Sequence, residues 1–188
     1  MQIFIIRHTP VLKDLSVCHG QYDFPLILSE YEKYLNLYKK NFDYQNTKIY
    51  TSPLERCLKL AINFNKEYKI QHELAEFSYG DWEGKKWEDI NPKHLENWMT
   101  DYFYTSPPNG ESLQMFILRI TNYLQDLSKN NEDAILITHL GVMRAILSMT
   151  LNIPIKDFFN IDIGYGALIQ LELGVNQKIR LKKFLSYQ

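Results

Sequence analysis

The chain has 188 residues, of which 45% are hydrophobic and 23% charged. This is an ordinary globular composition, and the length allows one domain over residues 1–188 with a real core. Lys and Arg total 21 against 22 for Asp and Glu, so the overall charge favours neither a nucleic-acid partner nor an anionic membrane surface. Cys18 and Cys57 form no CxxC motif and predict reduced thiols in a cytoplasmic protein. The opening apolar run, five or six residues, is too short for a signal-peptide core or a membrane span.

The first predicted element is a buried strand at residues 2–6, which stops at Arg7-His8 before the turn residues Thr9-Pro10. Successive strand residues point to opposite faces, so Arg7 and His8 can reach one site only where the strand becomes a turn. A neutral imidazole is a nucleophile toward phosphorus, and a guanidinium binds phosphate. Taken alone, a histidine at a strand end is more often a hydrogen-bonded structural residue.

After a long loop at residues 9–28, Ser29 and Glu32 form a capping box, with Ser29 as the N-cap of a helix. The inner face of that helix repeats at helical spacing as Tyr31, Tyr34, Leu35 and Tyr38. A second strand follows at residues 48–51.

The next helix is predicted to start at Ser52-Pro53-Leu54-Glu55, with Ser52 as cap, Pro53 in the first position and Glu55 completing the box. Its inner stripe would be Leu54, Leu58, Ala61 and Ile62. Arg56 falls in the first turn, where free amides and the helix dipole attract an anion. The alternative is a surface arginine paired with an acidic neighbour.

Residues 71–75 are predicted to be a third strand. Residues 76–110 contain three tryptophans and three prolines and are predicted to form a lid-like insertion of loops and short helices. Its aromatic residues, Trp82 among them, either wall a substrate pocket or form a small satellite core. The insertion begins with three candidate general acids, Glu76, Asp81 and Glu83, because a carboxyl group beside aromatic walls is desolvated and can stay protonated. Chemistry alone does not choose among them.

The last part of the chain alternates strand and helix. An amphipathic helix is predicted at 111–128, a strand at 134–138, a helix at 142–150 after His139, and two closing strands at 166–172 and 178–185. Such alternation is typical of a three-layer α/β/α sandwich with a mainly parallel sheet. Carboxyl ends of parallel strands share one edge, so His139 is expected near His8, where it can donate to a phosphate oxygen. Whether Arg144 contacts substrate, the sheet edge or solvent stays open.

These motifs together resemble the histidine phosphatase (phosphoglycerate mutase-like) superfamily. The matching segments, in family order, are Arg7-His8, residues 50–56, 76–84, 110–112 and 138–144. Within it, residues 7–11 followed by 18–26 are similar to the α-ribazole phosphatase branch, which removes phosphate from α-ribazole 5′-phosphate during cobalamin nucleotide-loop assembly.

The resemblance implies a phosphoglycerate mutase-like fold and a role for each matched residue. His8 is the nucleophile, Glu76 is the proton donor, and Arg7, Arg56, His139 and the amide of Leu140 hold the phosphate. Gln21 and Trp82 are candidate substrate contacts. Asp81 and Glu83 would be scaffold residues, and Glu111 and Ser112 would cap the long helix.

Two positions depart from the family pattern. Thr9 and Leu140 stand where many members have glycine, and a positive φ at Leu140 would be strained unless Gly141 absorbs the turn.

The predicted function is a metal-independent phosphomonoesterase without cofactor, acting on a small phosphomonoester. The alternatives are a broad small-metabolite phosphatase of the same superfamily, a phosphoglycerate mutase, and a catalytically inactive binding module. The sequence carries no signal for an oligomeric state.

Overall fold

The computed structural model describes residues 1–41, 45–174 and 179–185. Within these ranges one sheet has the strand order β3-β2-β4-β1-β5-β6. Its strands are β1 Gln2–Arg7, β2 Lys48–Thr51, β3 Tyr68–Ile70, β4 Ala134–Thr138, β5 Leu168–Leu173 and β6 Ile179–Leu185. The α-helices are α1 Leu28–Asn41, α2 Glu55–Ile62, α3 Pro92–Thr100, α4 Leu113–Ser128 and α5 Leu140–Leu151. No helix in the described ranges is long and apolar enough to cross a membrane.

The sheet is mainly parallel, as predicted. β4 lies between β1 and β2, with Arg7 opposite Thr138 and Thr51 opposite Ile137. β3 pairs in parallel with β2, whereas β5 and β6 form an antiparallel pair beside β1. The register aligns the carboxyl ends of β1, β2 and β4, which places the residues that follow them at one edge.

Two buried layers confirm the predicted α/β/α sandwich. Ile135 and Ile137 of β4 face the side covered by α1 and α2, whereas Ala134 and Leu136 face α4 and α5. This alternation follows from the two-residue period of a strand. All five residues of β4 are buried, so the sheet centre is fixed by apolar packing on both faces.

The predicted caps of the first two helices are wrong. α1 begins at Leu28, so Ser29 lies inside its first turn and is not the N-cap. α2 begins at Glu55, and Leu54 occupies the cap position without a side-chain bond. The Ser52 hydroxyl lies 2.7 Å from Nε2 of His139 instead. Pro53 therefore precedes the helix and does not open it.

The inner face of α2 also differs from the predicted stripe. Cys57, Leu60 and Ala61 are buried, whereas Ile62 is 55% exposed. Among the predicted stripe residues Ala61 is buried, and Leu54 and Leu58 are half-buried. The buried face of α2 is thus Arg56, Cys57, Leu60 and Ala61, which is rotated from the predicted stripe.

The third strand lies earlier than predicted. β3 ends at Ile70, and His72–Leu74 is a 3-10 turn. Leu74 is fully buried, and its carbonyl accepts a hydrogen bond from the Thr138 hydroxyl at 2.7 Å. This contact takes residues 71–75 off the sheet and across the end of β4.

The segment 76–110 contains 3-10 turns at Gly80–Trp82 and Trp87–Asp89 in addition to α3. Trp82 and Trp98 are buried, with ring centroids 5.9 Å apart, in the same cluster as Leu136. These two indoles thus extend the main core and form no separate satellite core.

α4 begins at Leu113, two residues after the predicted start, and Ser112 caps it as predicted by accepting from the amide of Met115 at 3.2 Å. Glu111 does not cap the helix. Its carboxylate accepts from the amide of Ser78 at 2.9 Å and pairs with Arg119 at 2.7 Å, which ties the start of α4 to the aromatic segment. α5 begins at Leu140, two residues before the predicted start.

Candidate active site

A cavity of about 280 Å³ opens beyond the carboxyl ends of β1 and β4. Its lining includes the charged or titratable residues Arg7, His8, Arg56 and Glu76 and the start of α5 at Leu140 and Gly141. Aromatic residues also line the cavity, among them Tyr22, Phe24, Trp87, Phe159 and Tyr165. A wall that combines cations with aromatic rings suits an anionic group carried on a less polar body.

His8 lies at the end of β1, where the ladder gives way to the turn. Its amide donates to the carbonyl of Thr138 at 2.9 Å, and its ring Nδ1 lies 2.8 Å from the carbonyl of Thr9. A carbonyl only accepts, so Nδ1 carries the proton and Nε2 the lone pair. Burial, followed by the charges of Arg56 and Arg7, holds the pKa of His8 well below 6.5. The ring is therefore a neutral imidazole with a free Nε2, the form required of a nucleophile.

His139 follows β4 and lies next to His8, as the strand pattern predicts: the ring centroids are 5.2 Å apart. It is fully buried. Arg56 Nε donates to its Nδ1 at 3.3 Å, and its Nε2 lies 2.7 Å from the Ser52 hydroxyl. Burial, then Arg56 and His8, lowers the pKa of His139 well below 6.5. Both ring nitrogens are engaged within the protein, so donation to a phosphate oxygen would require His139 to release Ser52.

Arg56 is buried in the first turn of α2, and its guanidinium is held by the loop after β1. It donates to the carbonyls of Gly20 and Tyr22 at 2.8 and 3.0 Å, and to Asp23 at 2.7 Å. With the bond to His139, four of its five N–H groups have partners. Arg56 thus joins β2, β4 and the loop, and one N–H is left for a substrate oxygen.

Arg7 is buried beside His8. Its Nη1 donates to the carbonyl of Ile163 at 2.6 Å, and its Cζ lies 3.9 Å from the centroid of the Tyr165 ring. Its Nε has no hydrogen-bond partner among the described residues. A buried donor without a partner is costly, so this guanidinium is ready to bind an anion.

Glu76 places its carboxylate at the N-terminus of α5. Oε1 accepts from the amide of Phe77 at 3.0 Å, and Oε2 accepts from the amide of Gly141 at 3.2 Å. Of the three candidate acids, Glu76 alone lines the cavity. Asp81 accepts from Asn109, and Glu83 from the amide of Tyr79, so both brace the aromatic segment.

Neither Leu140 nor Gly141 has a positive φ, so the expected backbone strain at Leu140 is absent. Gly141 is needed for space: a Cβ there would lie 2.2 Å from Oε1 of Glu76. The pair opens α5 with its first amides at the cavity, where a helix terminus binds anions.

Three sequence candidates do not line the cavity: His139, which is fully buried behind His8 and Arg56, Gln21 and Trp82. Gln21 donates to the carbonyl of Glu76 at 2.9 Å, so its amide positions the candidate acid. Trp82 is buried in the core. Arg144, which the sequence left open, lines the cavity, and its Nε donates to the carbonyl of Ile161 at 2.7 Å.

Sequence reasoning missed Asp23, Lys13, Phe159 and Tyr165. Asp23 stands inside the motif that resembles the ribazole branch, but the pattern gave it no role. In the described residues no three His, Cys, Asp or Glu side chains form a group that could hold a metal ion. Cys18 and Cys57 are buried and unbonded to each other.

Fold and site together define an α/β protein with two histidines and two arginines at the carboxyl ends of its central strands. The chain belongs to the histidine phosphatase superfamily (branch 1), whose family model matches residues 3–184. It is 24% identical over 196 residues to the adenosylcobalamin/α-ribazole phosphatase of Escherichia coli K12, covering 99% of this chain and 96% of that protein.

Two further similarities concern fold and specificity. The α-ribazole phosphatase from Shigella flexneri superimposes with a TM-score of 0.84 at 22% identity, covering 97% of this chain and 95% of that one; this shows a shared fold. Fructose-2,6-bisphosphatase of Saccharomyces cerevisiae is 28% identical over 148 residues, 76% of this chain and 32% of that protein. Similar chains in the family are thus named for different phosphate esters.

Proposed function

We propose that this chain is a phosphomonoesterase that transfers the phosphoryl group of its substrate to Nε2 of His8 and then to water. The observation that carries the proposal is the state of His8. Its ring is neutral, its tautomer is fixed by the Thr9 carbonyl, and its unprotonated nitrogen lies among buried cations at the end of the cavity.

In the first step Nε2 of His8 attacks phosphorus in line while the bond to the ester oxygen breaks. Arg7, Arg56 and the amide of Leu140 bind the non-bridging oxygens. His139 would join them after releasing Ser52. Because the transition state is loose, positioning and charge stabilisation carry most of the catalysis. Glu76 gives its proton to the departing alcohol.

In the second step Glu76, now a carboxylate, takes a proton from water. The resulting hydroxide attacks the phosphohistidine, the P–N bond breaks, and inorganic phosphate and neutral His8 are released. The scheme needs no metal and no cofactor. Two buried cysteines that form no disulfide with each other favour the predicted cytoplasmic location.

The leading substrate is α-ribazole 5′-phosphate. The full-length similarity to the Escherichia coli enzyme and the motif at residues 18–26 support it. The cavity is compatible with it, because the cations in its wall suit the phosphate and the aromatic rings in its wall suit a planar base.

A broad small-metabolite phosphatase is the second candidate. It is favoured by the 28% identity to a bisphosphatase with another named substrate and by the positions of Lys13 and Arg144 on the cavity wall, where either cation would bind a second anionic group.

A competition assay separates the two candidates. The purified protein is offered α-ribazole 5′-phosphate, 3-phosphoglycerate, fructose 2,6-bisphosphate and several nucleoside and sugar monophosphates, and kcat/KM values are compared. A preference of at least about 100-fold for α-ribazole 5′-phosphate over the others is expected for a dedicated enzyme. A flat profile supports the broad phosphatase, and interconversion of phosphoglycerates without phosphate release supports a mutase.

A further inference from the structure

Tyr165 lies against Arg7, which would bind the phosphate, and against His8, the proposed nucleophile. Its ring centroid is 3.9 Å from Cζ of Arg7. The same ring meets the imidazole of His8 nearly edge-on, with centroids 5.7 Å apart and planes at 67°. The Tyr165 side chain therefore contacts both the guanidinium that would bind the phosphoryl group and the imidazole that would attack its phosphorus.

The turn before β5 explains how Tyr165 reaches this place. The amide of Ala167 donates to the carbonyl of Gly164, which closes the turn. Gly166 has φ of +80°, and a Cβ there would lie 2.7 Å from the ring of Tyr34, so the turn requires glycine. β5 then runs antiparallel to β1, with Leu168 opposite Ile6. The start of β5 thus lies beside the end of β1, and the residues just before it reach over Arg7.

The environment of Arg7 shows what such a contact achieves. No carboxylate of the described residues forms an ion pair with Arg7; the Ile163 carbonyl holds Nη1, and Nε is unpartnered. A carboxylate would orient the guanidinium but also neutralise it. An aromatic face orients a guanidinium by stacking and leaves its N–H edge and net charge for an anion.

We propose that Tyr165 is a positioning residue whose ring face fixes the plane of the Arg7 guanidinium, so that the buried donors of Arg7 point at the phosphoryl group. The inference rests on the proposed phosphate site. It assigns the effect to the ring face and gives no part to the phenolic hydroxyl.

Binding of inorganic phosphate and of orthovanadate tests this directly, by calorimetry on the full chain. The variants are Tyr165→Phe, which keeps the ring, and Tyr165→Leu and Tyr165→Met, which remove it. Phe is expected to bind within about twofold of the wild type. Leu and Met are expected to bind about tenfold more weakly, a change of about 1.4 kcal/mol, within the range of a desolvated cation–π contact.

The rescue by Phe separates positioning from a general structural role, provided that melting temperatures are compared for all variants. Phosphate affinity unchanged in a folded Leu or Met variant would overturn the inference, as would a Phe variant as weak as Leu. A wild-type chain that binds neither anion overturns both the inference and the proposed function. A chain that binds them with the expected variant pattern but hydrolyses no phosphomonoester supports the inference and contradicts the function.

Discussion

Gly141→Ala should displace the carboxylate of Glu76, the proposed proton donor, and leave the rest of the site in place. An added Cβ would lie 2.2 Å from Oε1 and 3.2 Å from Cδ of Glu76, and 3.3 Å from the ring of Phe116. The first contact is with the free end of a flexible side chain, so the carboxylate moves and the helix stays. The Phe116 ring needs to shift by only a few tenths of an ångström. We therefore expect a folded protein with a displaced Glu76.

The expected cost in stability is small. Alanine stabilises a helix by up to about 1 kcal/mol relative to glycine. This gain applies at residue 141 because its φ is not positive. Losing the hydrogen bond from the Gly141 amide to the carboxylate costs about 1.5–3 kcal/mol. The balance is a destabilisation of about 0.5–2 kcal/mol, or a drop in Tm of roughly 1–8 °C for a chain of this size.

The expected loss of activity depends on the leaving group. General acid catalysis contributes about 10²–10⁴-fold, and an alkyl ester needs the proton far more than an activated aryl ester does. The kcat/KM for an alkyl phosphate should fall by about 100-fold or more, and that for p-nitrophenyl phosphate by less than about tenfold.

Two variants serve as references for this experiment. Glu76→Gln should show the same dependence on the leaving group, and Asp81→Asn, whose carboxylate only accepts from Asn109, should behave as the wild type. Equal losses on both esters in Gly141→Ala and Glu76→Gln would refute the assignment of Glu76 as the acid. A leaving-group effect in Asp81→Asn would move the assignment to another carboxylate.

Three further predictions concern the nucleophile, metals and pH. His8→Ala should release no phosphate from p-nitrophenyl phosphate, since no other group replaces Nε2, yet should still bind inorganic phosphate through Arg7 and Arg56; substantial turnover would remove His8 as nucleophile. Activity should survive prolonged EDTA treatment; a loss that zinc restores would contradict a metal-independent scheme. Burial lowers the folded-state pKa values of His8 and His139 below 6.5, so below that pH the unfolded chain binds protons that the folded chain does not. The free energy of unfolding, measured with urea, should therefore keep its full value above about pH 6.5 and fall below that pH by up to about 2.7 kcal/mol per pH unit for the two histidines together. A free energy that does not change between pH 6.5 and 5, or an unchanged slope in His139→Asn, would contradict buried neutral imidazoles.

The sheet and the approach of the two histidines could be predicted because they depend on patterns that local sequence carries. Short apolar runs ending at Arg7-His8 and Thr138-His139 are strands whose ends meet in any parallel arrangement. The Ser112 cap was predictable for the same reason, since its partner, the Met115 amide, is three residues away.

The errors lie where distant chain segments compete for the same atoms. Ser52 has the sequence of a helix cap, but its hydroxyl bonds to His139, which is remote in sequence. Glu111 stands at the start of α4, yet Arg119 and the Ser78 amide bind its carboxylate. No local sequence pattern indicates a role for Tyr165, because its ring contacts Arg7 and His8 only when β5 packs beside β1.

The strand order also determines when the site can form during translation. β4 separates β1 from β2, so a nascent chain on the ribosome exposes His8 early but cannot complete the centre of the sheet until Ala134–Thr138 has emerged. Until then His8 lacks His139, and Arg56 lacks the imidazole that accepts from its Nε. The reactive ring is therefore assembled with its surroundings late in synthesis, and incomplete translation products should be unable to form the pocket.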